Sequence, residues 1–238
     1  MYYIGSDIGG TKCAASLGLS AREGEIKILR REEFKTEGAP TAVLEKFAEI
    51  CKSFLSEHVG EVFGGIGISC GGPLDAKRGI IMSPPNLPGW DNIHVVDFFE
   101  DRFGLPAKLQ NDANACAVAE WLFGAGRGYE NVIFLTFGTG LGAGLILAGK
   151  LYSGSCDSAG EVGHVRLRPD GPVGFGKAGS CEGFCSGGGL AQMGRVTALR
   201  TDNSALLKKA GSIENINAKL ICDLAREGAA DSREIMKD

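Results

Sequence analysis

A strand, a glycine turn and a second strand recur in each half of the chain, and this recurrence limits the fold more than any other feature. In the first half, residues 2 to 8 and 12 to 19 read as strands joined by Gly9-Gly10-Thr11, because apolar stretches flank a turn made of small residues. In the second, Val132-Ile133-Phe134-Leu135-Thr136-Phe137 runs into a glycine loop, residues 138 to 144, and returns as Gly144-Leu145-Ile146-Leu147-Ala148. Repetition of one hairpin without residue identity predicts two related lobes. The division expected is 1–112 for the first and 113–238 for the second.

The remaining elements follow from period and punctuation. Residues 25 to 34 read as a third strand and 65 to 69 as a buried one that ends in Cys70-Gly71-Gly72-Pro73. Helical spacing of Ala42, Val43, Phe47, Ile50, Phe54 and Leu55 predicts a helix over 40–58, stopped at Gly60. Another helix is expected at 95–102. Strand 107–110 should lead through Asn111-Asp112 into a helix over 113–124, with Ala115, Val118, Ala119 and Leu122 on its apolar face. The prolines of residues 83 to 91 predict a stiff loop able to present a side chain. From 182 onward the chain reads as helix, polar over 203 to 238 and with Asp231-Ser232 near a final cap.

Composition excludes several classes. With 25 Lys and Arg against 29 Asp and Glu, the net charge is -4 and no long basic run exists, so no footprint for nucleic acid is present. No apolar run reaches the roughly 18 residues that cross a bilayer. Eight cysteines in a chain without a signal peptide predict reduced thiols and a cytoplasmic setting. The 37 glycines gather at motif positions and form no low-complexity tract.

Four groups of residues carry chemistry. Asp7-Ile8-Gly9-Gly10-Thr11-Lys12 offers backbone N–H groups, a hydroxyl and an ammonium to a phosphate tail, and Asp7 at the strand end could hold magnesium. The loop Gly138-Thr139-Gly140-Leu141-Gly142-Ala143-Gly144 is a second phosphate candidate. It also fits a relaxed dinucleotide fingerprint, but such a turn opens a helix and this one leads into a strand-like run. Asp112, after Asn111 at a strand end, is placed to accept a proton from a hydroxyl; its plain alternative is a helix N-cap. Finally, Glu161, His164 and Glu182 lie in a glycine-dense stretch and suit a polyhydroxylated ligand. His164 as an ordinary core histidine is the competing reading.

Asp7 to Lys12, Gly71-Gly72-Pro73, Pro85-Asn86-Leu87-Pro88-Gly89-Trp90, Asn111-Asp112-Ala113-Asn114-Ala115, the 138–144 loop and Gly160-Glu161-Val162-Gly163-His164 occur in that order. Together they resemble the ROK family of bacterial sugar kinases and sugar-responsive repressors. The resemblance implies an α/β, actin-like ATPase (ribonuclease H-like) fold of two lobes with mixed sheets, the second lobe incomplete. It further implies ATP and Mg2+ as cofactors, a hexose substrate, Asp112 as catalytic base, and a possible homodimer. Gly72, Asn86, Asn111, Glu161, His164 and Glu182 would line the sugar. Asp7, Gly9, Gly10, Thr11, Lys12, Gly138, Thr139, Gly140 and Gly142 would hold the nucleotide. A non-catalytic sugar sensor, a repressor-like protein and an inactive fragment remain as rivals.

Two departures from the family pattern stand out. Where many members bind structural zinc through cysteines, this chain has Val173, Phe175 and Ser180. No zinc is expected, because Cys181, Cys185 and His164 leave a tetrahedral site short of a ligand. Packing of Phe175 and Val173 is expected to hold that loop instead. The family also continues beyond the equivalent of residue 238 into an adenine-binding element, so a truncation is expected here.

Overall fold

The computed structural model describes residues 1–22, 25–201 and 203–237. Asp238, where the second lobe was expected to stop short, lies outside them. The chain divides into two compact units, Met1–Phe134 with Gly144–Ala159, and Leu135–Ala143 with Gly160–Asp238.

The first unit opens with β1 (Tyr2–Ile8), β2 (Lys12–Arg22) and β3 (Glu25–Lys35), then α1 (Pro40–Glu57) and β4 (Phe63–Cys70). Three two-residue strands, β5 (Leu74–Asp75), β6 (Ile80–Ile81) and β7 (Ile93–His94), precede α2 (Val95–Phe103), β8 (Ala107–Asn111) and α3 (Asp112–Phe123). The main sheet has the order β3-β2-β1-β4-β8. Its first three strands are an antiparallel meander, whereas β1, β4 and β8 run parallel. A mixed sheet of this kind buries apolar side chains against a covering helix. Here Ile4, Ile8, Leu17, Ile66, Ile68 and Leu109 of the strands share one core with Val43, Phe47, Ile50 and Phe54 of α1 and Phe99 of α2. The edge strand β3 is mostly exposed and charged, which discourages pairing with another chain.

Two of the expected elements need correction. Helix α3 buries Ala113, Asn114 and Ala117, not the Ala115, Val118, Ala119 and Leu122 face. The cause is Gly144: a Cβ there would lie 2.5 Å from both the Ala113 oxygen and the Ala117 Cβ, so small residues pack tightly on that side. Strand pairing also begins earlier than expected after the second glycine turn. β9 (Val132–Phe137) is followed by β10 (Leu141–Leu147) and β11 (Lys150–Leu151) in the order β11-β10-β9. Alternating burial of Leu141 and Ala143 makes a strand of what the glycines had suggested was loop, leaving Gly138-Thr139-Gly140 as the turn.

In the second unit a 3-10 turn (Val162–His164) precedes the hairpin β12 (Val173–Gly174) and β13 (Lys177–Ala178). Five helices follow: α4 (Cys181–Cys185), α5 (Gly187–Arg200), α6 (Ala205–Ala210), α7 (Ala218–Glu227) and α8 (Ala230–Ile235). The region expected as polar helix therefore holds a core, built from Leu206, Ile216, Ile221, Leu224 and Ile235. Each short helix gives it only one or two side chains, too few to register as a period. Among the described residues no helix is long and apolar enough to cross a membrane.

Candidate active site

Parallel strands put their carboxyl ends on one edge, where open α/β sheets bind ligands. Register aligns Asp7 with Ser69 and Ile8 with Cys70 across β1 and β4, and Ser69 with Gln110 and Cys70 with Asn111 across β4 and β8. Asp7, Ser69, Asn111 and Asp112 thus share that edge. Ser69 Oγ donates to Asp7 Oδ1 at 2.6 Å, which leaves Oδ2 without a hydrogen bond among the described residues. The residue between them records the crowding of charge: burial first, then the carboxylates of Asp112 and Asp7, pushes the Cys70 thiol up to about 12.

Asn111, not Asp112, is the N-cap of α3. Its Oδ1 accepts from the N–H groups of Ala113 (3.0 Å) and Asn114 (3.3 Å), so only its amide nitrogen is left for a ligand. Asp112 is then the first helical residue and exposed. A Cβ on Gly72 would sit 3.7 Å from Asn111 Nδ2, which places Gly72 next to that nitrogen.

The first glycine turn is tied down by its carbonyls. Thr36 Oγ1 donates to the Gly9 oxygen at 2.6 Å, and the Thr36 N–H to the Thr11 oxygen at 3.1 Å. The N–H groups of Gly10 and Thr11 donate no hydrogen bond among the described residues. Open amides in a tight turn are the kind of group that binds anions. Asn86 lies against this turn: a Cβ on Gly10 would come 2.4 Å from the Asn86 oxygen. Burial of Leu87 and Trp90 anchors the proline loop and turns Asn86 outward. Lys12 is engaged elsewhere, its Nζ lying 3.1 Å from Glu33 Oε1.

In the second unit the other glycine turn repeats the pattern. The N–H groups of Gly187 and Gly188, at the start of α5, donate to the oxygens of Gly138 (2.9 Å) and Thr139 (3.4 Å). Those of Thr139 and Gly140 donate no hydrogen bond among the described residues. Gly142 falls inside β10, away from the turn proper. Glu182, carried on α4, accepts from the Leu141 N–H at 3.1 Å through Oε2. A Cβ on Gly140 would lie 2.7 Å from that oxygen, and one on Gly163 3.2 Å from the Glu182 Cβ. Glu182 therefore touches both the turn and the segment bearing Glu161 and His164. Those two side chains flank the 3-10 turn, with His164 Nε2 3.9 Å from Glu161 Oε2.

The residues expected to hold the zinc-replacing loop behave unequally. Phe175 stacks on His164, but Val173 is exposed and only its N–H is held, by Gln192 at 2.7 Å. Of the other histidines, His58 Nδ1 lies 2.9 Å from the Phe54 oxygen at the end of α1, and His94 Nδ1 3.1 Å from Asp97 on the surface. Ser69, Thr36 and Gln110 were missed in the sequence. Only register brings Ser69 and Gln110 to the edge, and Thr36 acts across the sheet, 27 residues from Gly9.

Residues 3–238 match the ROK family. The chain belongs to the ROK family. Among its relatives, the glucokinase of Thermotoga maritima is 35% identical over 226 residues, covering 94% of this chain and 70% of that protein. An N-acetylmannosamine kinase of Escherichia fergusonii is 33% identical over 228 residues, covering 95% and 75%. The crystal structure of a ROK family glucokinase from Streptomyces griseus in complex with glucose and AMPPNP superposes with a TM-score of 0.74 at 36% identity, covering 99% and 74%. The mixed α/β fold is thus that of the actin-like ROK kinases.

Proposed function

We propose that this ROK protein transfers the γ-phosphoryl group of ATP to a hydroxyl of a hexose. The observation that carries the proposal is the exposed Asp112 carboxylate at the carboxyl edge of the sheet, in the unit that also holds a glycine turn with free amides. Asp112 accepts the hydroxyl proton as the sugar oxygen bonds to the γ-phosphorus, the bond to the β-phosphate oxygen breaks, and ADP leaves. The amides of Gly10, Thr11, Thr139 and Gly140 hold phosphate oxygens. Asn86, the Asn111 amide, Glu161, His164 and Glu182 take the sugar hydroxyls. Lys12 reaches a phosphate only by leaving Glu33.

Among the described residues no three His, Cys, Asp or Glu side chains gather around one point. Magnesium does not require that, since one or two carboxylates beside substrate phosphates suffice; the uncommitted Asp7 oxygen fits this role. Bound there, the ion would neutralise charge developing on the phosphates.

The glucokinase and N-acetylmannosamine kinase relatives make hexoses and 2-acetamido hexoses the panel to test. Sugar-dependent ADP formation with one of them is the expected result. Sugar binding without turnover would point to a sensor, and the absence of both would reject the proposal.

A further inference from the structure

The hairpin of β12 and β13 turns on two residues, Phe175 and Gly176, with φ of +44° and +74°. A two-residue turn with both centres in the left-handed region is suited to Asn-Gly or Gly-Gly. A phenylalanine there carries its Cβ against the backbone's preference. Burial does not offset this, because the side chain is 70% exposed.

What the ring does touch is His164. The two rings stack with centroids 5.0 Å apart and planes 14° from parallel. Two residues further on, Lys177 Nζ donates to the His164 carbonyl oxygen at 2.8 Å. One hairpin therefore holds His164 from two directions, at its ring and at its backbone. Backbone strain that persists at an exposed position is a sign that the strained residue serves a site.

We propose that Phe175 is a positioning residue that fixes the plane of the His164 imidazole before sugar arrives, and so sets sugar affinity. This rests on the reading of His164 as a sugar ligand. An imidazole already confined against an aromatic face loses less rotational freedom on binding, and that saving appears in affinity. Phe175 itself makes no hydrogen bond to the sugar and takes no part in proton transfer.

The test compares the unaltered chain with Phe175→Asn and Phe175→Tyr. Asparagine keeps the left-handed turn and removes the ring; tyrosine keeps the ring. With Phe175→Asn, KM for the sugar should rise about 3- to 10-fold while kcat stays within about 2-fold, and the unfolding midpoint should hold or rise. Phe175→Tyr should restore the original KM. The His164 ring-proton signals in NMR should move when the stacked ring is lost and return with tyrosine. If those signals move and KM does not, the positioning role is overturned. If the signals do not move, the stack is absent in solution and the proposal falls with it. If the unaltered chain binds no hexose, the sugar-site reading itself fails, a result separate from either of these.

Discussion

Asn111 and Gly10 show how little latitude individual residues have here. The Asn111 oxygen is committed to the N–H groups of α3, so only the side-chain nitrogen is left to donate to a ligand. Neither its neighbour's exposure nor this division of labour could be read from the sequence, where a cap and a base look alike. Gly10 was legible as a turn glycine, but its reason was not. Its φ is not positive; the constraint is the Asn86 oxygen, 2.4 Å from any Cβ placed there. Gly10→Ala should therefore push the two loops apart, costing about 1 to 3 kcal/mol of stability and raising KM for ATP. Chemical unfolding and steady-state kinetics check both. An unchanged KM for ATP would remove the Gly10 turn from the nucleotide site.

At the scale of elements, the longer strands β1, β2, β3, β4, β8 and β9 and the helix α1 were legible from their apolar patterns, whereas the two-residue strands β5, β6, β7, β11, β12 and β13 are too short to show a period. The boundaries that failed did so where glycine or small residues hide the pattern, as at Leu141–Gly144 and on the Ala113/Ala117 face. Helix from 182 onward was legible, but its break into short helices around a shared core was not, because each gives that core only one or two side chains. Asp231, expected near a final cap and found in the first turn of α8 beside its N-cap Ala229, also caps a different helix. Its Oδ2 accepts from Ser204 Oγ (2.9 Å) and from the Ala205 N–H (3.0 Å) at the start of α6.

Burial works against ionisation of Asp231, but the Ser204 hydroxyl and three backbone N–H groups outweigh it and hold the carboxyl below its ordinary value. A lowered folded-state pKa means the stabilisation is present above the unfolded value, about 3.9, and fades as pH falls through the folded one. Asp231→Ala should cost about 1 to 3 kcal/mol at neutral pH and flatten the loss of stability below about pH 4. Urea unfolding at pH 3 and pH 6 measures this. An equal pH dependence in both proteins would show that Asp231 is not the titrating staple.

For the whole molecule, the ROK fold was anticipated from the resemblance carried by the order of the motifs; four of them, at Asp7–Lys12, Gly71–Pro73, Asn111–Ala115 and 138–144, stand at strand ends. All eight cysteines are free, with Cys13, Cys51 and Cys70 buried. What no sequence reading supplied was the agreement between the two glycine turns. In both, the carbonyls are bonded inward and the amides are open, one anchored by Thr36 and the other by the first residues of α5. The choice of sugar was not legible, since amide, carboxylate and imidazole side chains such as those of Asn86, Glu161 and His164 suit hydroxyls in general.

The proposed mechanism turns on Asp112 removing the proton from the accepting hydroxyl. The direct measurement is sugar-dependent ADP formation by Asp112→Asn beside the unaltered chain, with sugar binding followed by calorimetry in both. Sugar affinity should stay within about 3-fold while turnover falls by about 100- to 10,000-fold. Turnover close to that of the unaltered chain, with binding intact, would contradict it.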